Sequence, residues 1–308
     1  AGGVQGVSGE RMAPVRLAAE GDRSALIGVS LMILVALFGA VDSVIVRQLS
    51  PDIHPFVMGF TRSLFGLLAV LPWIVSRPQI LRTPCRFRHV LRAALKLASL
   101  VAFFGAFASA PLADVTAIAF TAPIFVTLGA WVFLSERPQA LRMAAVACGF
   151  VGVLLVLKPG SQGGVAAGLM LALLGAVLTA VIQLILKPMS ARDSTETLVA
   201  WNLILTVPLA VLPALWVWTA PTPGQWALLA VQGALGALSM GLVTRAFSLA
   251  EASLLAPMDF LRLPIVAVLG YAFFSQTVAQ STWIGGAVIF AASLLMARSA
   301  RSRKNREI

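Results

Sequence analysis

The chain has 308 residues, of which 59% are hydrophobic and 11% charged, with a mean hydropathy of +0.93. Water-soluble domains carry about 25% charged and 45–50% apolar residues, so the composition excludes an ordinary cytosolic enzyme and a nucleic-acid-binding module and predicts a polytopic α-helical membrane protein. The net charge of +11 becomes informative once each cation is placed along the chain.

The first 24 residues are polar and contain glycine, and they read as a cytoplasmic tail with no cleavable signal. Ten stretches of about 20 apolar residues follow, each long enough to cross a bilayer. They cover 25–46, 54–75, 90–110, 114–134, 138–157, 165–187, 197–218, 225–247, 252–274 and 282–298. The connections are short and hold helix breakers: Ser50-Pro51, Arg77-Pro78, Pro111, Arg137-Pro138, Lys158-Pro159-Gly160, Pro221 and Pro223. Short turns make neighbouring helices antiparallel. The expected organisation is a tail over 1–24, a five-helix unit over 25–160, a second over 161–298 and a basic cytoplasmic tail over 299–308.

Eighteen of the 23 Lys and Arg fall in the tails, loops and span ends of one side, two (Arg47 and Lys158) on the other, and three (Arg62, Lys96 and Arg262) deeper inside spans. The positive-inside rule then places both termini in the cytoplasm. The charge excess is a topology signal beside anionic lipid, so no nucleic-acid partner is expected. Trp73, Trp131 and Trp201 fall near cytoplasmic span ends, and Trp216, Trp218, Trp226, Tyr271 and Trp283 near external ends. Such positions suit interfacial anchoring. Cys85 in a loop and Cys148 in a span are too separated to pair, and no metal or disulfide framework is implied.

The two halves resemble one another. Leu112-Ala113-Asp114 matches Leu249-Ala250-Glu251, Pro123 matches Pro264, Trp131 matches Tyr271, and Ser135-Glu136 matches Ser275-Gln276. Each copy belongs to a five-helix unit, and an odd helix number forces opposite insertion, the inverted-repeat plan of many secondary transporters. The stretch from Pro111 to Pro138 resembles the EamA-type repeat of the drug/metabolite transporter superfamily, with Ser135-Glu136-Arg137 in its acidic turn. The run Gly149-Phe150-Val151-Gly152-Val153-Leu154-Leu155 before Lys158-Pro159-Gly160 is similar to that family's fifth helix. The second copy departs, with Gln276-Thr277 where the first has Glu136-Arg137. The resemblance covers about residues 25–298. It implies ten helices, five-plus-five inverted symmetry and metabolite export across a bacterial inner membrane. Its YddG-like branch implies aromatic amino acids as cargo.

Ionisable groups inside a bilayer are expensive and mark functional sites. Five stand out: Asp42, Arg62, Lys96, Asp259 and Arg262. At a 1.5 Å rise, Asp42 lies about 6 Å and Arg62 about 12 Å below the external ends of their spans, within reach of each other. Lys96 and Asp259 lie about 10 Å from the cytoplasmic side. Arg62 and Lys96 can also snorkel to an interface. Arg262 is nearest the middle and one turn from Asp259, so an i,i+3 pair lining the cavity is expected. Ser99, Thr116, Thr121, Gln183, Ser239, Thr244 and Ser253 are further polar candidates, and Phe120, Met240 and Met258 apolar ones. Interhelical packing is the alternative role for the hydroxyls. Pro123 and Pro264 each remove a backbone hydrogen bond mid-helix in corresponding spans, the best sequence pointer to a transporter site.

His54 and His89 fall on opposite sides, and no HExxH, phosphate loop or CxxC occurs. Gly6-Val7-Ser8-Gly9 mimics a protease pattern but lies in the tail, without a histidine. The expectation is a carrier, not an enzyme, without cofactor or metal. It is read as a monomer in the lipid bilayer, with amino acids as cargo. The competing expectation is proton-coupled export of cationic drugs or other small metabolites. An intramembrane enzyme and a passive channel or scramblase fit the residues less well.

Overall fold

The computed structural model describes residues 12–134, 140–157, 164–190, 192–249, 255 and 258–304. Ser135, Glu136, Arg137, Lys158, Pro159, Gly160, Glu251, Ser253 and the Gly6–Gly9 stretch lie outside the described residues. The helices are α1 (Met12–Leu49), α2 (Pro55–Ser76), α3 (Arg86–Ser109), α4 (Leu112–Ala119), α5 (Ala122–Leu134), α6 (Ala140–Leu157), α7 (Gly164–Met189), α8 (Thr195–Trp216), α9 (Pro223–Leu249), α10 (Arg262–Phe274) and α11 (Gln280–Lys304). A 3-10 turn, Pro78–Leu81, sits between α2 and α3. Among the described residues no strand occurs.

Helix starts follow local chemistry. The His54 ring accepts the Phe56 N–H at 3.3 Å ahead of Pro55, and Ser194 Oγ accepts the Thr197 N–H at 3.2 Å. Both satisfy first-turn amides that lack intrahelical partners. α1 begins at Met12, well before the span expected from 25, and α11 runs on to Lys304. The flanking stretches hold Ala, Glu, Lys and Arg, which continue a helix beyond the apolar region.

Seven stretches among the described residues are long and apolar enough to cross a membrane, and the shorter apolar helices lie at Met143–Leu157, Arg262–Phe274 and Gln280–Leu295. Two of the ten crossings are interrupted. α4 ends at Ala119 and α5 restarts at Ala122, while Met258 and Asp259 are helical, Phe260 and Leu261 form a turn, and α10 restarts at Arg262. At the first break the Thr121 N–H and hydroxyl both donate to the Ile118 carbonyl, at 2.9 and 2.7 Å. Pro123 is therefore the second residue of α5 and Pro264 the third of α10, not mid-helix residues as the sequence suggested. A first-turn amide has no intrahelical acceptor, so proline's missing N–H removes no ladder bond there.

Packing follows the inverted repeat. α1 packs on α9 and α7 on α3; α1 packs on α10 and α7 on α5; α2 faces α8, and α6 faces α11. Exchanging the halves converts each of the first two relationships into its partner and maps the last two onto themselves. Phe104, Leu49, Ile53, Met58, Leu112, Ile118, Leu229 and Ile289 lie in the main core, each at most 1% exposed. Trp216, Val75, Phe87, Leu212 and Val268 are exposed, as lipid-facing side chains are in a protein whose solvent is hydrocarbon.

α6 and α11 meet through small residues. A Cβ on Gly152 would lie 2.9 Å from the Gly285 carbonyl oxygen, and one on Gly285 would lie 2.7 Å from that of Gly152. Backbone blocks backbone here, so no rotamer change relieves the clash. Gly152→Leu is expected to destabilise the protein by about 2–3 kcal/mol, read as a lower melting temperature in detergent. Gly224→Leu, where a Cβ meets nothing within 4 Å, is the neutral control.

Candidate functional site

The intramembrane charges are drawn together from both halves. The Arg62 guanidinium on α2 donates to the Asp42 carboxylate on α1, with 23% and 13% of the two side chains exposed. Arg62 also lies 5.8 Å from the Phe104 ring centre, a cation–π contact. Gly236 of α9 makes room for it, because a Cβ there would stand 3.1 Å from the guanidinium.

Arg262 follows the same pattern on the other side. It lies against Gly39 of α1, where a Cβ would come within 3.1 Å of Nε. Its Nη2 donates to Ser43 Oγ at 3.1 Å, and Ser43 in turn donates to the Gly39 carbonyl at 2.8 Å. The expected pair with Asp259 does not form: among the described residues no ion pair joins them. The break at Phe260–Leu261 intervenes, so Asp259 and Arg262 are not one turn apart on a continuous helix. Their charges still interact, and Arg262 also feels Asp42 and Arg62. Its Nε is buried without a partner.

Lys96 on α3 feels Arg62 and Arg92. Arg92 had been counted among the cations of the arginine-rich side, but it is 6% exposed and donates to the Leu198 carbonyl of α8. Position relative to a span end does not reveal such inward rotation. Gln232 of α9 is likewise a residue that sequence reasoning passed over. It is fully buried, and neither amide atom has a partner.

The other candidates separate by role. Ser99 donates to the Gly175 carbonyl at 3.0 Å and meets Thr179 Oγ1 at 3.0 Å, joining α3 to α7. Thr116 donates to the Leu112 carbonyl at 2.8 Å, and Thr244 to the Met240 carbonyl at 2.9 Å. With Thr121, these hydroxyl protons serve backbone or packing. Met258 packs with Met32, Ala246 and Leu255 in a separate cluster between α1 and α9. Gln183, Met240, Pro123 and Pro264 are exposed, and Ser239 is half-buried. Phe120 stacks on Phe260 with centroids 4.2 Å apart at 29°, and Phe260 meets Phe290 at 4.2 Å. The stack therefore lies at both helix breaks, two residues from Arg262.

Polar clusters tie each end. At one, Thr83 Oγ1 donates to Asp193 Oδ2 at 3.0 Å, His89 Nε2 contacts that oxygen at 3.0 Å, and the His89 ring stacks on Trp201 at 5.5 Å. Asp193 lies between α7 and α8 and Thr83 between α2 and α3, so the cluster joins the halves. At the other, Arg47 Nη1 donates to the Phe107 and Ala108 carbonyls at 3.1 and 2.6 Å, and Gln225 donates to Asp52 at 2.9 Å. Thr282 donates to Asp114 at 2.5 Å beside Gln276, whose Oε1 accepts the Leu112 N–H at 3.1 Å. Among the described residues no three His, Cys, Asp or Glu assemble to hold a metal.

Residues 26–158 and 166–298 both match the EamA-like transporter family. The two matches begin 140 residues apart, and each contributes one ring to the stacked pair, Phe120 from the first and Phe260 from the second. The chain is 34% identical over 245 residues to a riboflavin transporter of Rhizobium johnstonii, covering 79% of this chain and 80% of that protein. It is 28% identical to an S-adenosylmethionine uptake transporter of Rickettsia bellii, covering 92% and 97%. It is also 28% identical to a pseudopaline exporter of Pseudomonas aeruginosa, covering 88% and 96%. A solved crystal structure shares the fold at a TM-score of 0.60 and 17% identity, covering 91% of this chain and 98% of that one.

Proposed function

The chain belongs to the EamA-like transporter family, and on that premise we propose that it exports aromatic and other neutral amino acids across a bacterial inner membrane. Both termini face the cytoplasm in this reading, from the cation asymmetry. The carrying observation is the Asp42–Arg62 pair within the field of Arg262, which follows Phe260 of the Phe120–Phe260–Phe290 stack by two residues. An amino acid needs cations for its carboxylate, an acid for its ammonium and an apolar wall for its side chain. Asp42 and Asp259 are the acids, Arg62 and Arg262 are cations, and the aromatic rings are the wall. Rocking of the halves about the stacked rings gives alternating access. With Lys96, three intramembrane cations stand against these two acids, which argues against cationic drugs as cargo.

A second reading is favoured by the names of the relatives: a heteroaromatic metabolite replaces the amino acid and occupies the same rings. The test is counterflow into proteoliposomes loaded with L-tryptophan, riboflavin or S-adenosylmethionine. Saturable tryptophan exchange, competed by phenylalanine and unaffected by collapsing the pH gradient, is the expected result for facilitated export. Riboflavin or S-adenosylmethionine exchange without tryptophan exchange overturns the amino-acid reading in favour of the second.

A further inference from the structure

Arg92, Lys96 and Ser99 share one face of α3, at spacings of four and three residues. Arg92 is 6% exposed and Ser99 2%, yet Lys96 between them is exposed. Arg92 meets the Leu198 carbonyl of α8 and Ser99 meets the Gly175 carbonyl of α7, so the face of α3 that carries Lys96 packs against the second half on either side of it. Lys96 lies about 10 Å from the cytoplasmic side, and on this inward face it stands among the helices of the bundle.

The charges around this lysine are all of its own sign. Arg62 and Arg92 are the neighbours whose fields reach it. Arg62 is matched by Asp42. Arg92 is bonded to the Leu198 carbonyl and lies within the field of Asp193. Among the described residues no carboxylate pairs with Lys96. An ammonium within a span is costly unless it is paired, and a bound anion removes that cost while gaining the field of two further cations.

We propose that Lys96 is the anion-binding residue of the chamber and that the cargo is a small carboxylate-bearing molecule. The proposal rests on the carrier reading above and deepens it by making the carboxylate an obligatory feature of the cargo. Arg62 and Arg92 hold the field around the site, and Lys96 supplies the direct contact.

The test separates binding from transport. Purified full-length protein in neutral detergent without added lipid is melted with sodium benzoate or with benzamide. Benzoate is expected to raise the melting temperature by about 3 °C at ten times its Kd, and benzamide, which lacks the charge, is expected to leave it unchanged. Lys96→Met should melt no lower than the parent without ligand, because an unmatched cation has been removed, and should lose the benzoate response. Lys96→Arg should keep it. An equal benzoate response in Lys96→Met, no response in the parent, or an equal response to benzamide overturns the proposal.

Tryptophan counterflow distinguishes the two levels. A benzoate response that depends on Lys96, with no tryptophan exchange, removes the amino-acid cargo and supports the anion site. Tryptophan exchange at an unchanged KM in Lys96→Met removes the anion site and supports the amino-acid reading. The expected result is a KM at least ten times higher, about the change produced by losing one charge-assisted contact.

Discussion

Replacing Asp193 with Ala is expected to destabilise the protein by about 3 kcal/mol, the cost of removing a buried carboxylate that accepts hydrogen bonds from its neighbours. The Asp193 side chain is 1% exposed and its Oδ2 meets both Thr83 and His89. His89 is fully buried and its Nδ1 already lacks a partner, so loss of Asp193 leaves neither ring nitrogen bonded to a carboxylate. Arg92 next door loses a counter-charge in the same step. The fall in melting temperature should be about 10 °C, at roughly 2–4 °C per kcal/mol for a chain of this size. Glu196→Ala is the comparison. Its pair with Arg77 spans 3.6 Å between half-exposed side chains and should contribute under 1 kcal/mol. Equal effects of the two substitutions would mean that the Thr83–His89–Asp193 cluster does not hold the halves together.

The second large effect is at Asp42. Asp42→Ala leaves Arg62 charged and unmatched within the membrane, and tryptophan exchange should fall by about 100-fold, together with a stability loss of about 3 kcal/mol. Arg62→Met should behave similarly. The double variant, Asp42→Leu with Arg62→Met, exchanges the pair for apolar side chains that suit this environment and should recover most of the stability. It should recover none of the transport, because the polar groups proposed to meet the cargo are gone. A coupling of about 1–3 kcal/mol in the stability cycle is expected. Additive stability losses would show that the ion pair contributes no net energy. Recovered transport in the double variant would place the cargo elsewhere.

These two sites differ in how far they could be read from residue order. Asp42 and Arg62 were legible because each is an ionisable residue in an apolar run, and the 1.5 Å rise put them at similar depths. The His89–Asp193 cluster was not, because both residues lie at span ends where polar side chains are ordinary. Arg92 was hidden for the same reason. Its count among the positive-inside cations depended on its position along the chain, whereas its role depends on which way the helix faces. The Asp259–Arg262 expectation assumed an unbroken helix across 259–262, and the turn at Phe260–Leu261 redirected Arg262 to Ser43. The matched prolines signalled the breaks correctly in location and incorrectly in form. Proline specifies where a helix can start as readily as where one is weakened.

Composition, apolar run length and the five-plus-five repeat determined that this is a ten-span carrier fold, because each follows from local quantities: hydrophobicity, length and residue order. What only the tertiary structure decided is which intramembrane charges meet. That depends on helix rotation and on glycines at the crossings, where Gly39 and Gly236 let Arg262 and Arg62 lie against a neighbouring helix. It also decided that Lys96 stands apart from both acids, since a charge pair is a statement about distance in space. The same packing set Phe120 of the first half against Phe260 of the second, at the two helix breaks.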